Sequence, residues 1–381
     1  VKSRLFSGPT LALPLCGLLL VGAACSSNNN KNTNKATSAA TAASTAATVA
    51  ASVTSAASPA ARTPTSTTNV GVVTAQTGLT PVAAGATPTP FAVDTSKAPQ
   101  LPATITGSDG KQVKVTDISR IVPLNGDLTE IVYALGLGQN VVGDDYTATY
   151  PPQALALPKI GLQTMLSAEG ILSLKPTVVI GNNDAGPAAV IDQIRSAGIP
   201  VVILQYPSTL DGVVPKIKQV AQALGVPDRG DQLGAHTQSQ IDAAEALAKK
   251  ATSHPRVAFL YVRGTQVQDI GGKDYGSDGL ITAANAIDAG AQAGVTGLQP
   301  LTAEALVAAN PDVILTLDGA LASVGGVDGM LKLPGVAQTP AGINKRIVHL
   351  DDQYLLGLGP RVGAALMDLV KALHPELAQG G

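Results

Sequence analysis

The chain has 381 residues, 45% of them apolar and 14% charged, a globular composition with enough length for two compact domains. Its formal net charge is −2 and its basic residues are spread thinly, which excludes the electrostatic footprint of a nucleic-acid-binding protein.

Residues 1–25 carry the grammar of an export signal: Lys2 and Arg4, then the apolar run "TLALPLCGLLLVG", then "GAAC" ending at Cys25. The run is shorter than the roughly 20 residues that span a bilayer, so a cleaved signal is expected. The pattern resembles a bacterial lipoprotein signal with Cys25 as the lipidated residue; an ordinary secretory signal is the alternative. Cys16 would leave with the signal and Cys25 would carry lipid, so no pair remains for a disulfide. The expectation is a monomer held at the outer face of a cell membrane by its N-terminal lipid and otherwise soluble. Residues 26–100, rich in Ala, Ser, Thr, Asn and Pro, with Asp94 as the first acid of the chain, have too little large apolar surface to offset chain entropy. They read as a disordered tether, whose length favours a Gram-positive type of cell surface over a periplasm.

Texture changes near residue 101. "ITGSDGKQVKVTD" holds a Gly-Ser-Asp-Gly turn between β-prone runs, a hairpin signal. "SRIVPLNGDLTEIVYALGLG" reads as strand, turn and helix, with Asp127 and Glu130 in a capping-box spacing and Glu130 assigned as a cap. An internal repeat follows. "LSAEGILSLKPTVVI" (166–180) and "LTAEALVAANPDVIL" (301–315) align without a gap, 135 residues apart, and "SRIVPLN" (119–125) matches "PRVAFLY" (255–261) at nearly the same offset. Between the copies, residues 228–253 lack Gly and Pro after Gly234 and read as one long helix. The expected fold is α/β: an N-terminal lobe (101–227), a linking helix (228–253) and a C-terminal lobe (254–381), the lobes being similar and Rossmann-like.

In open α/β sheets a ligand lies beyond the carboxyl ends of the strands. The repeat makes Tyr261 and Asn125 equivalent at such ends, both facing a cleft between the lobes, and "FLYVRGTQ" adds Arg263 two positions after Tyr261. The four histidines (His236, His254, His349, His374) have no metal-ligand spacing, and no nucleophile elbow, zincin motif or P-loop is present. No enzymatic activity is expected. "GLGQNVVG" and "GLGPRVG" place their third glycine too late for a dinucleotide motif.

Together, "NGDLTEIVYALGLG", "LPKIGLQTMLSAEGILSLKP", "YVRG", "SVGGVDGMLKLPGVAQTPAG" and "LLGLGPR" resemble the substrate-binding lipoproteins of ABC importers, of the helix-linked class (class III periplasmic-binding-protein fold) that carries haem, cobalamin and ferric siderophores, and most of all its haem-binding members. The resemblance spans about residues 103–376. It implies haem as ligand, Tyr261 as the iron ligand and Arg263 hydrogen-bonding near it; a phenolate is a hard anion suited to ferric haem. A Tyr packed in a core beside a surface Arg is the alternative. Haem-binding relatives place Tyr or His where this chain has Leu162, which cannot coordinate iron, so Tyr261 acts alone or with Tyr146, Met165 or Tyr354. Arg361 could reach a haem propionate, or be solvated. Glu169 and Glu304, first-turn acids at matching places, would dock onto a symmetric permease dimer coupled to its cytoplasmic ATPase, or merely favour their helix N-termini. Three readings stand: a haem carrier for iron acquisition, the same carrier for cobalamin or a ferric siderophore, and a cell-surface interaction module without transport.

Overall fold

The computed structural model describes residues 91–378. The expected signal, Cys25 and most of the expected tether lie outside the described residues. The last ten tether residues do not fit the disordered expectation. Phe91 stacks on His236 with ring centroids 4.2 Å apart, Gln100 donates to Gly225 O, and buried Arg229 donates to Thr95 O and Lys97 O. Composition missed this because the ordering groups belong to another part of the chain.

The expected hairpin forms from β1 (Ala103–Thr106) and β2 (Gln112–Val115), paired antiparallel through the Gly107–Gly110 turn. β3 (Ile121–Pro123) then leads into α1 (Gly126–Ala134). After α2 (Ala168–Ser173) come β4 (Val178–Asn182), α3 (Ala188–Ser196), β5 (Val201–Leu204) and α4 (Val213–Ala223). These build a parallel sheet in the order β3-β4-β5. Alternate residues of β4 serve opposite faces: Val178 and Ile180 join the large core, Val179 a second cluster with Ile171, Ile191 and Ile194. A parallel sheet covered on both faces favours such an apolar run on both sides of the strand, here Val178–Ile180.

The linking helix is α5 (Pro227–Ala248), about 33 Å long at 1.5 Å per residue. It packs against α4 so closely that a Cβ on Gly230 would stand 2.4 Å from Ala221 Cβ. It stops five residues before the expected Ser253. The side-chain amide of Asn285 donates to the carbonyls of Ala248 and Ala251, satisfying the helix end from outside, so no Gly or Pro is needed there.

The C-terminal lobe begins with β6 (Arg256–Arg263) and β7 (Val267–Gly271), followed by α6 (Gly276–Ala283), β8 (Ile287–Asp288), α7 (Ala289–Gln292), β9 (Leu298–Pro300) and α8 (Ala303–Ala309). β10 (Val313–Leu317), α9 (Asp318–Val324), α10 (Val327–Met330), α11 (Pro340–Ile343), β11 (Ile347–Leu350), α12 (Asp352–Leu356) and α13 (Val362–Leu373) complete it. The sheet order is β11-β10-β6-β7-β9, with β8 also on β6.

The repeat holds to the residue. Ile121 pairs with Val178, and its counterpart Val257 with Val313. Ser167 and Thr302 cap α2 and α8 through their hydroxyls. Arg120 donates to the carbonyls of Leu174 and Lys175 at the end of α2; Arg256 does the same to Ala309 and Asn310 at the end of α8. Among the described residues no helix is long and apolar enough to cross a membrane.

Candidate functional site

β6 changes partners along its length. Residues 257–259 pair in parallel with β10, while Leu260–Arg263 pair antiparallel with β7, Tyr261 opposite Asp269. The strand therefore runs past the point where its counterpart β3 ends, and Gly264 turns the chain with φ +62°. This extension carries Tyr261 and Arg263, both half-buried. The guanidinium carbon of Arg263 stands 4.4 Å from the Tyr261 ring centroid, within cation–π range. Arg263 also donates to Val262 O at 2.9 Å and forms an ion pair with Asp352. Tyr275, whose ring stacks on Phe259, has its phenol pushed up by burial and by the neighbouring Tyr261. The two side chains thus lie together at the end of the strand, with the Tyr261 ring packed against the edge of the core.

The equivalent position in the N-terminal lobe is different in kind. Asn125 is 4% exposed and its side-chain oxygen accepts from Asn182 N, so it does not face a cleft as expected; it ties the residue before α1 to the end of β4. Beside it the Asp127 carboxylate takes Lys216 Nζ at 2.8 Å and the Asn182 amide, all buried. The capping box does not form: α1 has no side-chain cap.

Glu130 is likewise no cap. It lies at 4% exposure and accepts both Nε and Nη2 of Arg361 at 3.0 and 2.9 Å, across the lobes. Burial raises its carboxyl and the guanidinium lowers it, burial prevailing. Arg361 is neither solvated nor free for a propionate here, because Glu130 holds one edge and the Tyr150 ring lies 3.6 Å beneath it. A cavity of about 220 Å³ opens beside this pair, bounded by α1, α5 and Tyr150. It does not touch Tyr261 or Arg263.

Gln353 makes the second junction between lobes, and nothing in the sequence drew attention to it. Its side-chain oxygen accepts from Thr149 N and Tyr150 N at 2.8 Å, and its amide donates to Gly126 O and Glu130. A third junction is the Tyr206 hydroxyl, which donates to Leu356 O.

Three exposed apolar side chains cluster on the N-terminal lobe: Leu162 at 43%, Tyr146 at 62% and Met165 at 74% exposure. Their loops are tied by Tyr146 N to Gly161 O and Met165 N to Leu162 O. Tyr354 is not with them. It is 8% exposed and donates its hydroxyl to Asp368, with the phenol pushed far up by burial, so it is no metal ligand here. Glu169 and Glu304 are exposed in the first turns of α2 and α8.

Two pseudo-symmetric α/β lobes on one helix, with polar groups presented from strand ends, define a substrate-binding protein. The model of the family described as "Periplasmic binding protein" matches residues 121–354, and the chain belongs to that family. A solved structure of the periplasmic heme-binding protein RhuT from Roseiflexus sp. RS-1, in apo form, is 53% identical, covering 68% of this chain and 100% of that one with a TM-score of 0.67. The heme-binding protein HmuT is 36% identical over 74% of this chain and 94% of its own, TM-score 0.70. HmuT has also been solved with a histidine, a tyrosine or an arginine replaced by alanine, the last two lying two positions apart. The "Uncharacterized ABC transporter substrate-binding lipoprotein YvrC" of Bacillus subtilis (strain 168) is 28% identical over 72% of this chain and 87% of its own length. Vitamin B12-binding proteins match over a shorter stretch; that of Vibrio campbellii is 29% identical over 42% of this chain and 57% of its own.

Proposed function

We propose that this chain is the extracytoplasmic substrate-binding protein of an ABC importer, that it captures ferric haem, and that it carries out no chemistry on its ligand. Tyr261 supplies the iron ligand and Arg263 steadies the phenolate; the Leu162, Tyr146 and Met165 patch offers an apolar wall to the porphyrin. The observation that carries this reading is the Tyr261–Arg263 pair at 4.4 Å, at the same two-residue spacing as the tyrosine and arginine replaced in the HmuT variants. Leu162 cannot bind iron and Tyr354 is buried against Asp368, which leaves Tyr261 as the iron ligand, alone or with Tyr146 or Met165. A lipid on Cys25 would hold the monomer at the membrane, and Glu169 and Glu304, one per lobe, would meet equivalent basic groups of a dimeric permease.

Cobalamin is the second reading, favoured by the vitamin B12-binding relatives. Parallel titrations of the chain from residue 26 onward with ferric haem, cobalamin and a ferric siderophore test both. Saturable one-to-one binding of haem with a phenolate-type charge-transfer band is expected. Saturation by cobalamin or the siderophore alone would overturn the haem reading and keep the transport role.

A further inference from the structure

A half-exposed arginine has about 2 kcal/mol of rotamer entropy and does not remain over a phenol ring unless something fixes its far end. In this lobe the fixing group is Asp352. One carboxylate oxygen holds Arg263 Nη2; the other accepts Gly319 N at 2.9 Å. The acid therefore sits where three strands end, on the first residue of α12 after β11, against the first turn of α9 after β10, and against the tip of β6. Gly319 permits the approach: a Cβ there would lie 2.9 Å from Asp352 Oδ1. Glycine early in a helix is otherwise unfavourable.

We propose that Asp352 is the positioning residue of the ligand site, setting Arg263 against Tyr261, so that the iron ligand meets oriented N–H donors rather than a mobile cation. Arg263 has five N–H groups, two of which are engaged by Asp352 and Val262 O. The remainder are left for the ligand. The role rests on the haem reading for its spectroscopic consequence but not for its geometry, so the two are tested separately.

The test compares wild type, Asp352→Asn, Asp352→Glu, Arg263→Ala and the Asp352→Asn/Arg263→Ala double variant, each checked for folding by circular dichroism. In the ligand-free chain, NMR of the Arg263 guanidinium is expected to show slowed rotation and proton exchange in wild type, both becoming fast in Asp352→Asn. With ferric haem, Asp352→Asn is expected to move the phenolate-to-iron band in the same direction as Arg263→Ala and to speed haem transfer to apomyoglobin roughly tenfold, equivalent to about 1.4 kcal/mol. Asp352→Glu should recover most of the shift, and Asp352→Asn should add nothing to Arg263→Ala. Equal guanidinium mobility in wild type and Asp352→Asn would overturn the positioning role, as would an additive effect in the double variant. Absence of haem binding by wild type would overturn only the ligand assignment, since the NMR comparison is made without haem. Should Asp352→Asn fail to fold, Gly319→Ala displaces the carboxylate without removing it, and fast guanidinium rotation is expected there too.

Discussion

In the N-terminal lobe β3 ends at Pro123 and the chain turns at once into α1, whereas in the C-terminal lobe β6 continues to Arg263 and folds back as β7. Up to that point the lobes are copies, with the same strand register and the same arginine on the end of the same helix. Beyond it one lobe closes its strand end with a buried Asp127–Lys216–Asn182 cluster, and the other extends it into a Tyr–Arg pair near the surface. The repeated unit supplies the scaffold, and the departure from the repeat supplies the site. Functional asymmetry in a duplicated fold is then to be sought at the first residue where the two copies stop pairing alike.

The largest effect should come from the cluster with no counterpart. Lys216→Met leaves the Asp127 charge buried without its cation and should lower unfolding free energy by about 3–5 kcal/mol, measured by urea denaturation. An effect below 1 kcal/mol would mean the N-terminal strand end is not held as described. Gln353→Ala removes the side chain that crosses between lobes and leaves the Thr149 and Tyr150 amides unpaired. A loss of about 2–3 kcal/mol, together with faster hydrogen exchange at those two amides, is expected. Exchange confined to the C-terminal lobe would contradict the junction.

The equivalent arginines sharpen the comparison. Arg256→Ala should cost about 1–2 kcal/mol, and Arg120→Ala less, because Arg120 is exposed and Arg256 half-buried; a reversed order would break the equivalence.

A smaller effect depends on pH. Burial pushes the Asp145 carboxyl up to about 7, against the Thr147 hydroxyl that donates to it. Asp144 is pushed to about 6, partly offset by Lys159. In the unfolded chain these acids hold protons only below about 4, so between roughly pH 4 and 7 the folded state binds more protons and stability falls as pH rises. Asp145→Asn should flatten that slope, by at most about 1.4 kcal/mol per pH unit, in thermal melts from pH 4 to 8. Finally, Glu169→Arg with Glu304→Arg should lower the melting temperature only slightly, through the helix N-termini, and leave ligand binding unchanged while abolishing uptake in cells. Normal uptake would remove the docking role.

Much of this was legible in the chain. The gapless repeat predicted two similar α/β lobes, because each copy contains its own cap, helix and strand within about fifteen residues; the matching strand register came from the structure. Tyr261 and Arg263 could be picked out because both polar groups stand on one short strand. What escaped notice depends on partners far apart in sequence. Glu130 meets Arg361 across 231 positions and Arg263 meets Asp352 across 89, and local spacing holds no trace of either. Glu130 looked like a cap because its spacing from Asp127 fits one; burial against the other lobe gave it another partner. The early end of α5 and the ordered segment before Gln100 share that cause, since Asn285 and Arg229 supply from elsewhere the hydrogen bonds that local composition lacks.

The most direct test of the central claim is an optical and electron-paramagnetic-resonance titration of the chain from residue 26 onward with ferric haem, beside Tyr261→Phe. The account predicts a one-to-one high-spin complex with a phenolate charge-transfer band in wild type, and loss of that band with at least a hundredfold weaker binding in the variant, about 2.7 kcal/mol. An unchanged spectrum and affinity in Tyr261→Phe would place the iron ligand elsewhere and contradict the account.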